Sequence, residues 1–361
     1  MISFFIEKNI AKAKTLYKEF YIDPKYFEES KEKIFSNTWQ FIGDTNLVKK
    51  AGNCYPFTLF QDYLNQPLLL TKNKTGQINC LSNVCTHRGN ILITQPCSAN
   101  NIRCKYHGRL FDLTGRFRSM PEFQEVKNFP SLYDDLHKLP LYQFAELLLF
   151  VSLNKNLPAK KFFKEMIERT EWMPLKDFVF RPDLSKEYFI NAHWALYCEN
   201  YLEGFHIPFV HPGLNTVIDY GNYTTELFNY SNVQIGIGKD EEDCFDLPAS
   251  STDYGKKIAA YYFWIFPNMM FNFYPWGLSI NIVTPLSPCR TKISYFSYVW
   301  KEEKLNTGAG ASLDKVELED EEVVENVQKG ILSRFYTHGR YSVTREQGTH
   351  HFHRLIAEFM K

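Results

Sequence analysis

The sequence predicts an α+β protein of two domains, a small all-β domain followed by a larger one whose antiparallel sheet is flanked by helices. Three observations lead there. The 361 residues are more than a single small domain needs, so the chain has room for two separate cores. Between residues 39 and 153, short strand-like runs alternate with turn residues. Beyond that point strand-like runs are interspersed with helical periodicity.

Taken in order, residues 1–36 read as a helical segment packing on the larger domain, with Leu16, Tyr17 and Phe20 on one face and lysines opposite. Residues 37–155 form the small domain, with strands expected over 57–60, 67–71, 78–84 and 141–151. Asn154 and Pro158 supply a boundary, and residues 159–169 have the pattern of an amphipathic helix. In the larger domain, 156–361, strands are expected over 178–182, 188–192, 231–236, 259–266, 278–285 and 292–301.

Charge and cysteine content narrow the function classes. Lys plus Arg equals Asp plus Glu at 41 each, so no net field steers the chain toward nucleic acid or an anionic membrane, and small neutral or locally recognised substrates fit better. The apolar start is broken by Glu7 and Lys8, and the run 147–151 is too short to span a bilayer, which predicts a soluble, cytoplasmic protein. Eight cysteines are too sparse for a disulfide scaffold. Cys54, Cys80, Cys97, Cys198, Cys244 and Cys289 are read as reduced thiols. Most of the 31 Phe, 22 Tyr and 6 Trp are expected in the core.

The other two cysteines sit in paired motifs. Cys85-Thr-His87 and Cys104-Lys-Tyr-His107 each supply one thiolate and one imidazole from a short turn, with 16 residues between them. This pairing points to a Rieske [2Fe-2S] cluster, in which one iron takes both cysteines and the other both histidines. Structural zinc accepts the same residue types, but zinc fingers usually group a Cys pair and a His pair separately. Gly89 and Gly108, each following the motif, suit tight turns.

A second constellation lies in the larger domain. Asn200, Glu203 and His206 recur every three residues, which places them on one side of a single helix. Pro208 disfavours helix at Ile207, freeing His211 to fold back from a loop toward His206. Non-haem ferrous oxygenases use two histidines and one carboxylate on one face of iron. Glu203 is one candidate for that carboxylate, although it can instead hydrogen-bond a cluster histidine across an interface. The acidic stretch 317–328 offers the better one, because Asp320, Val324, Val327 and Ile331 follow at i, i+4, i+7 and i+11, putting Asp320 on the apolar stripe. The other acids there are expected to point mostly outward. His350, His351 and His353 have no fourth partner nearby and are read as structural.

With both motifs the chain resembles, over nearly its full length, the α subunit of Rieske non-haem iron oxygenases, the ring-hydroxylating oxygenase family. Asn90 and Tyr106 stand where respiratory Rieske proteins carry an extra disulfide, so the cluster domain resembles the oxygenase type; Lys105 and Arg109 depart from the Pro and Trp common there. The stretches 320–333, 339–342, 350–353 and 261–285 are most similar to choline monooxygenase and related quaternary-amine oxygenases. The resemblance implies a helix-grip catalytic domain and mononuclear Fe(II) held by His206, His211 and Asp320. It also implies a homotrimer in which Glu203 bridges to a cluster histidine of the neighbouring subunit, with Asn200 orienting the site.

The expected activity is that of a terminal oxygenase component, hydroxylating or N-dealkylating a small organic substrate with dioxygen. Neither a Gly-x-Gly-x-x-Gly fingerprint nor a second Cys-rich cluster motif is present, so NAD(P)H is expected to act through a separate reductase, with or without a ferredoxin. A trimethylammonium compound would suit the ring-rich stretch 261–276 through cation–π attraction. The alternatives are an aromatic-ring dioxygenase and, outside the enzymes, a Rieske electron carrier.

Overall fold

Trp39–Asn156 forms one of two units in the computed structural model, which describes residues 4–217, 219–239, 242–310 and 313–361. Its strands are β1 (Trp39–Asp44), β2 (Asn53–Leu59), β3 (Gln66–Lys72), β4 (Ile78–Ser82), β5 (Cys97–Ser98), β6 (Asn101–Arg103), β7 (Leu110–Asp112), β8 (Phe117–Ser119), β9 (Lys138–Leu139), β10 (Leu141–Phe144) and β11 (Leu148–Ser152). They pair in three sheets, of order β5-β2-β3-β4-β9, β1-β11-β10 and β6-β7-β8. Leu69, Leu81, Ile102, Phe111, Leu113 and Leu136 make a core that also takes in Cys85 and Cys104. The run 141–151, expected as one strand, is a hairpin: Ala145 and Glu146 take positive φ and reverse the chain between β10 and β11.

The other unit, Met1–Thr38 with Leu157–Lys361, is built on one large sheet. Its strands are β12 (Val179–Phe180), β13 (Lys186–Ile190), β14 (Thr224–Leu227), β15 (Ser231–Ile237), β16 (Ile258–Ile265), β17 (Met269–Tyr274), β18 (Gly277–Ser287) and β19 (Arg290–Val299). The order is β12-β19-β18-β17-β16-β15-β14, with β13 also on β19, and every pairing is antiparallel. All six residues of β17 are buried, so it lacks the apolar–polar alternation by which a half-exposed strand is recognised.

The helices are α1 (Glu19–Ile22), α2 (Pro24–Lys33), α3 (Ala159–Phe162), α4 (Lys164–Thr170), α5 (Trp194–Tyr201), α6 (Ile207–Val210), α7 (Pro212–Val217), α8 (Leu313–Ile331) and α9 (Gln347–Phe359). The N-terminal segment is less helical than expected. Asp23 ends α1 and caps α2, accepting from the backbone of Lys25, with Pro24 in the first helical position. Before α1 the chain pairs with a distant stretch: Thr15 N–H donates to Gly339 O and Lys18 N–H to Thr337 O. Leu16 and Phe20 are buried, whereas Tyr17 is exposed. The expected helix over 159–169 is interrupted at Phe163. On α9, His350 Nε2 donates to Glu7 O at 2.7 Å, and His353 meets the Tyr341 hydroxyl at 2.6 Å, so both serve hydrogen bonding within the fold.

Candidate metal centres

In the smaller unit the two Cys/His motifs occupy turns of the same construction. Cys85 N–H donates to Asn90 O and Gly89 N–H to Cys85 O; Cys104 N–H donates to Arg109 O and Gly108 N–H to Cys104 O, all at 2.8–3.0 Å. The first turn is flanked by the Val84–Ile91 bridge and the second by the Arg103–Leu110 pair of β6 and β7. Gly89 and Gly108 close the turns at φ of 69° and 77°, a region side chains rarely adopt. Both sulfurs are buried, and the His87 and His107 rings lie 4.8 Å apart, centroid to centroid.

The donor set fits an iron–sulfur cluster. Nδ1 of His107 is buried with no hydrogen-bond partner, an orphan that a metal would satisfy. Burial pushes the Cys85 thiol up. At Cys104 burial is outweighed by hydrogen bonds from the Tyr106 backbone and other nearby donors, among them the Asn90 amide at 3.7 Å, and the pKa falls. Asn90 thus occupies the place of a disulfide cysteine with a donor to ligand sulfur. Arg109, where the family commonly has Trp, is buried among the rings of Phe111, Phe117 and Phe129 and paired with Asp134 at 2.6 Å.

In the larger unit, the ligand atoms of His206, His211 and Asp320 lie within 4.8 Å of one another. Asp320 Oδ1 is 2.9 Å from His211 Nε2 and 3.5 Å from His206 Nε2, and it accepts from Asn200 Nδ2 at 2.6 Å. The single helix expected for Asn200, Glu203 and His206 is broken. α5 ends at Tyr201, Glu203 lies in the following turn, and His206 precedes α6. The turn passes so close to Tyr223 that a Cβ on Gly204 would come within 2.7 Å of its ring. Pro208 does not exclude helix at Ile207; it sits in the first turn of α6, where a missing N–H costs no bond. His211 follows α6, and α8 brings Asp320 across.

Each imidazole is held from behind by a carboxylate. His206 Nδ1 is 2.7 Å from Glu203 Oε1, and His211 Nδ1 is 2.8 Å from Glu319 Oε2. An ionised carboxylate only accepts, so each Nδ1 carries a proton, and Nε2 is the nitrogen each ring can offer a metal. His211 faces carboxylates at both nitrogens. Burial opposes its protonation, but Asp320 and Glu319 outweigh that and raise its pKa. A divalent cation between Nε2 and Asp320 would replace that proton, so the donors fit ferrous iron. Glu203 also accepts from the backbone of Phe205 and His206.

The inward turn of Glu317 and Glu319 departs from the expected outward acids. Glu317 is 3 % exposed and takes hydrogen bonds from the Tyr197 and Tyr295 hydroxyls. The signal was present: Glu317, Asp320 and Val324 stand at i, i+3 and i+7, on one stripe. Beside the triad Glu317, Tyr197 and Tyr295 line a cavity with Tyr201, Tyr223, Tyr262 and Tyr274, and with the amides of Gln234, Asn272 and Asn281. Its volume is about 110 Å³, somewhat below the roughly 150 Å³ that accommodates benzene in an engineered core.

A Cys/His cluster domain joined to a sheet-based domain with a two-histidine, one-carboxylate triad defines a Rieske-type non-haem iron oxygenase, with a [2Fe-2S] cluster and mononuclear iron as cofactors. The chain belongs to this family: residues 38–130 match the Rieske [2Fe-2S] domain, and residues 177–361 match the ring hydroxylating alpha subunit (catalytic domain). It is similar to the chloroplastic choline monooxygenase of Arabidopsis thaliana, 26% identical over 98% of this chain and 84% of the relative. The carnitine monooxygenase oxygenase subunit of Escherichia coli K12 is 27% identical over 98% of this chain and 96% of its own length. Among solved structures, the quaternary ammonium Rieske monooxygenase CntA with L-carnitine superposes with a TM-score of 0.74 at 21% identity, covering 97% and 96% of the two chains. Naphthalene 1,2-dioxygenase shares the fold at a TM-score of 0.70 and 15% identity, covering 96% and 92%. Among the described residues no helix is long and apolar enough to cross a membrane.

Proposed function

We propose that this chain is the oxygenase component of a system that monooxygenates a small quaternary ammonium compound, hydroxylating it or removing an N-alkyl group. The observation that carries this reading is the cavity beside the triad, lined by tyrosine rings and acids with neither lysine nor arginine among the described residues that line it. Tyrosine faces and carboxylates attract a desolvated trimethylammonium group, cation–π contacts contributing up to about 2 kcal/mol. Choline and carnitine monooxygenases among the relatives point the same way.

In this proposal Cys85, His87, Cys104 and His107 hold the cluster, and His206, His211 and Asp320 hold iron. Bound there, the iron supplies a place for dioxygen to be activated by one-electron transfers from the cluster. Overall, a substrate C–H bond, dioxygen, two electrons and two protons give the alcohol and water; on an N-methyl group the carbinol then leaves as formaldehyde. Glu203 and Glu319 hold the imidazole Nδ1 protons, and Asn200 fixes Asp320. In a homotrimer Glu203 would also reach a cluster histidine of the neighbouring subunit. A separate NAD(P)H-dependent reductase, with or without a ferredoxin, supplies the electrons, and a reducing cytoplasm suits the six other, free cysteines. Residues 37–155 and 156–361 are then the electron-accepting and catalytic domains, with 1–36 packed on the latter.

The test is oxygen uptake by the reconstituted protein with a surrogate reductase. Trimethylammonium compounds should stimulate uptake together with product formation. Stimulation by an aromatic hydrocarbon alone, yielding a cis-diol, would replace this reading with ring dioxygenation.

A further inference from the structure

Glu317 is a buried carboxylate that the iron site does not use. Its Oε2 accepts from the Tyr197 hydroxyl at 2.6 Å and also from Tyr295, whose hydroxyl lies 2.7 Å from that of Tyr197. Among the described residues its Oε1 has no partner, although the side chain is 3 % exposed and lines the cavity beside the triad. A carboxylate oxygen buried without a donor is costly, and a purely structural role for the Tyr–Glu–Tyr cluster leaves that cost standing. A ligand cation would remove it. The other ionisable acids of the cavity are Glu203, engaged by His206, and Asp320, engaged by Asn200 and the two imidazoles. Among the described residues no lysine or arginine lines the cavity to receive a substrate carboxylate.

We propose that Glu317, positioned by Tyr197 and Tyr295, is the specificity-determining counter-charge of the substrate cavity. It selects a small ammonium compound with an uncharged tail over one carrying its own carboxylate. This rests on the amine reading above and refines it: of the two substrate types named by the relatives, the cavity suits an amino alcohol and disfavours an amino acid betaine. The alcohol end has amide partners available in Gln234, whose buried Oε1 is without a hydrogen bond, and in the Asn272–Asn281 pair. Burial pushes the Glu317 carboxyl up to about 8, so the empty cavity holds it largely protonated at neutral pH, and an arriving cation displaces that proton.

The experiment is calorimetric titration of the metal-loaded protein with choline, L-carnitine and 3,3-dimethylbutan-1-ol, the uncharged isostere of choline, for the native chain and Glu317→Gln. The native protein should bind choline about tenfold or more tighter than either other compound. Glu317→Gln should lose about tenfold for choline while holding the neutral alcohol within about twofold, which also shows the cavity intact. Unchanged choline affinity in the variant, an equal loss for both ligands, or native binding of carnitine as tight as choline would overturn the role given to Glu317. Native binding of naphthalene with none of the three compounds bound would overturn the amine reading itself.

Discussion

The cluster turns and the iron triad differ in how far along the chain their parts are drawn from. In the smaller unit, the proposed ligands, two or three residues apart, sit on two turns with the same hydrogen-bond pattern, so each half-site is built by its own backbone. In the larger unit, His211 and Asp320 are 109 residues apart, and the helix bearing Asp320 must dock before the site exists. The imidazoles there are oriented by acids from two different elements, Glu203 and Glu319. A locally built site depends on turn chemistry, whereas an assembled one depends on packing and on the residues behind its ligands.

The largest expected effect separates the two sites outright. His206→Ala, His211→Ala or Asp320→Ala should abolish product and remove the mononuclear iron, while the visible and electron paramagnetic resonance signals of the cluster remain. Loss of the cluster signal in any of the three would show that the sites are not built independently. Next comes Glu203→Gln, which should keep both metals but slow turnover by about 10- to 100-fold, since a neutral amide holds the imidazole less firmly and, in the homotrimer proposed above, weakens the electron path. Turnover at the native rate would remove Glu203 from that path.

A smaller effect is expected at Glu319, which backs the His211 imidazole. Glu319→Gln should lower ferrous affinity by about tenfold, read by competition with a chelator, with the cluster unaltered. Unchanged affinity would limit Glu319 to packing. The smallest concerns pH. The raised pKa of Glu317 means that the fold favours its protonated form, so its contribution to stability is present below its ordinary 4.5 and is lost as pH rises through about 8. In iron-free protein the melting temperature of Glu317→Gln should therefore gain on that of the native chain between pH 5 and pH 8.5. A pH-independent difference would contradict the assignment of that titration to Glu317.

The same contrast decides what could be read from the residues alone. The cluster turns were legible because Cys-x-His and Cys-x-x-His, each with a glycine one or two residues on, are local patterns. Asp320 was legible because the apolar stripe runs through Val324 and Ile331, both buried, even though Val327 is 43 % exposed. The inward turn of Glu319 was not, and that of Glu317, although it shares the stripe, was masked, because a helix rich in acid is usually solvated and their partners lie in other elements. Residues 14–18 failed for a related reason: their pairing with 337–340 is non-local, and no periodicity within the segment encodes it. β17 was hidden by being buried on both faces, and the break after Tyr201 by a close approach to Tyr223 that only the folded chain reveals.

Iron quantitation on purified, reconstituted protein, set beside the same measurement on Asp320→Ala, bears most directly on the claim that one chain houses a cluster and a separate oxygen-activating iron. The account requires about three irons per native chain and about two in the variant, with identical cluster spectra. Two irons in both proteins, or three in both, would contradict it.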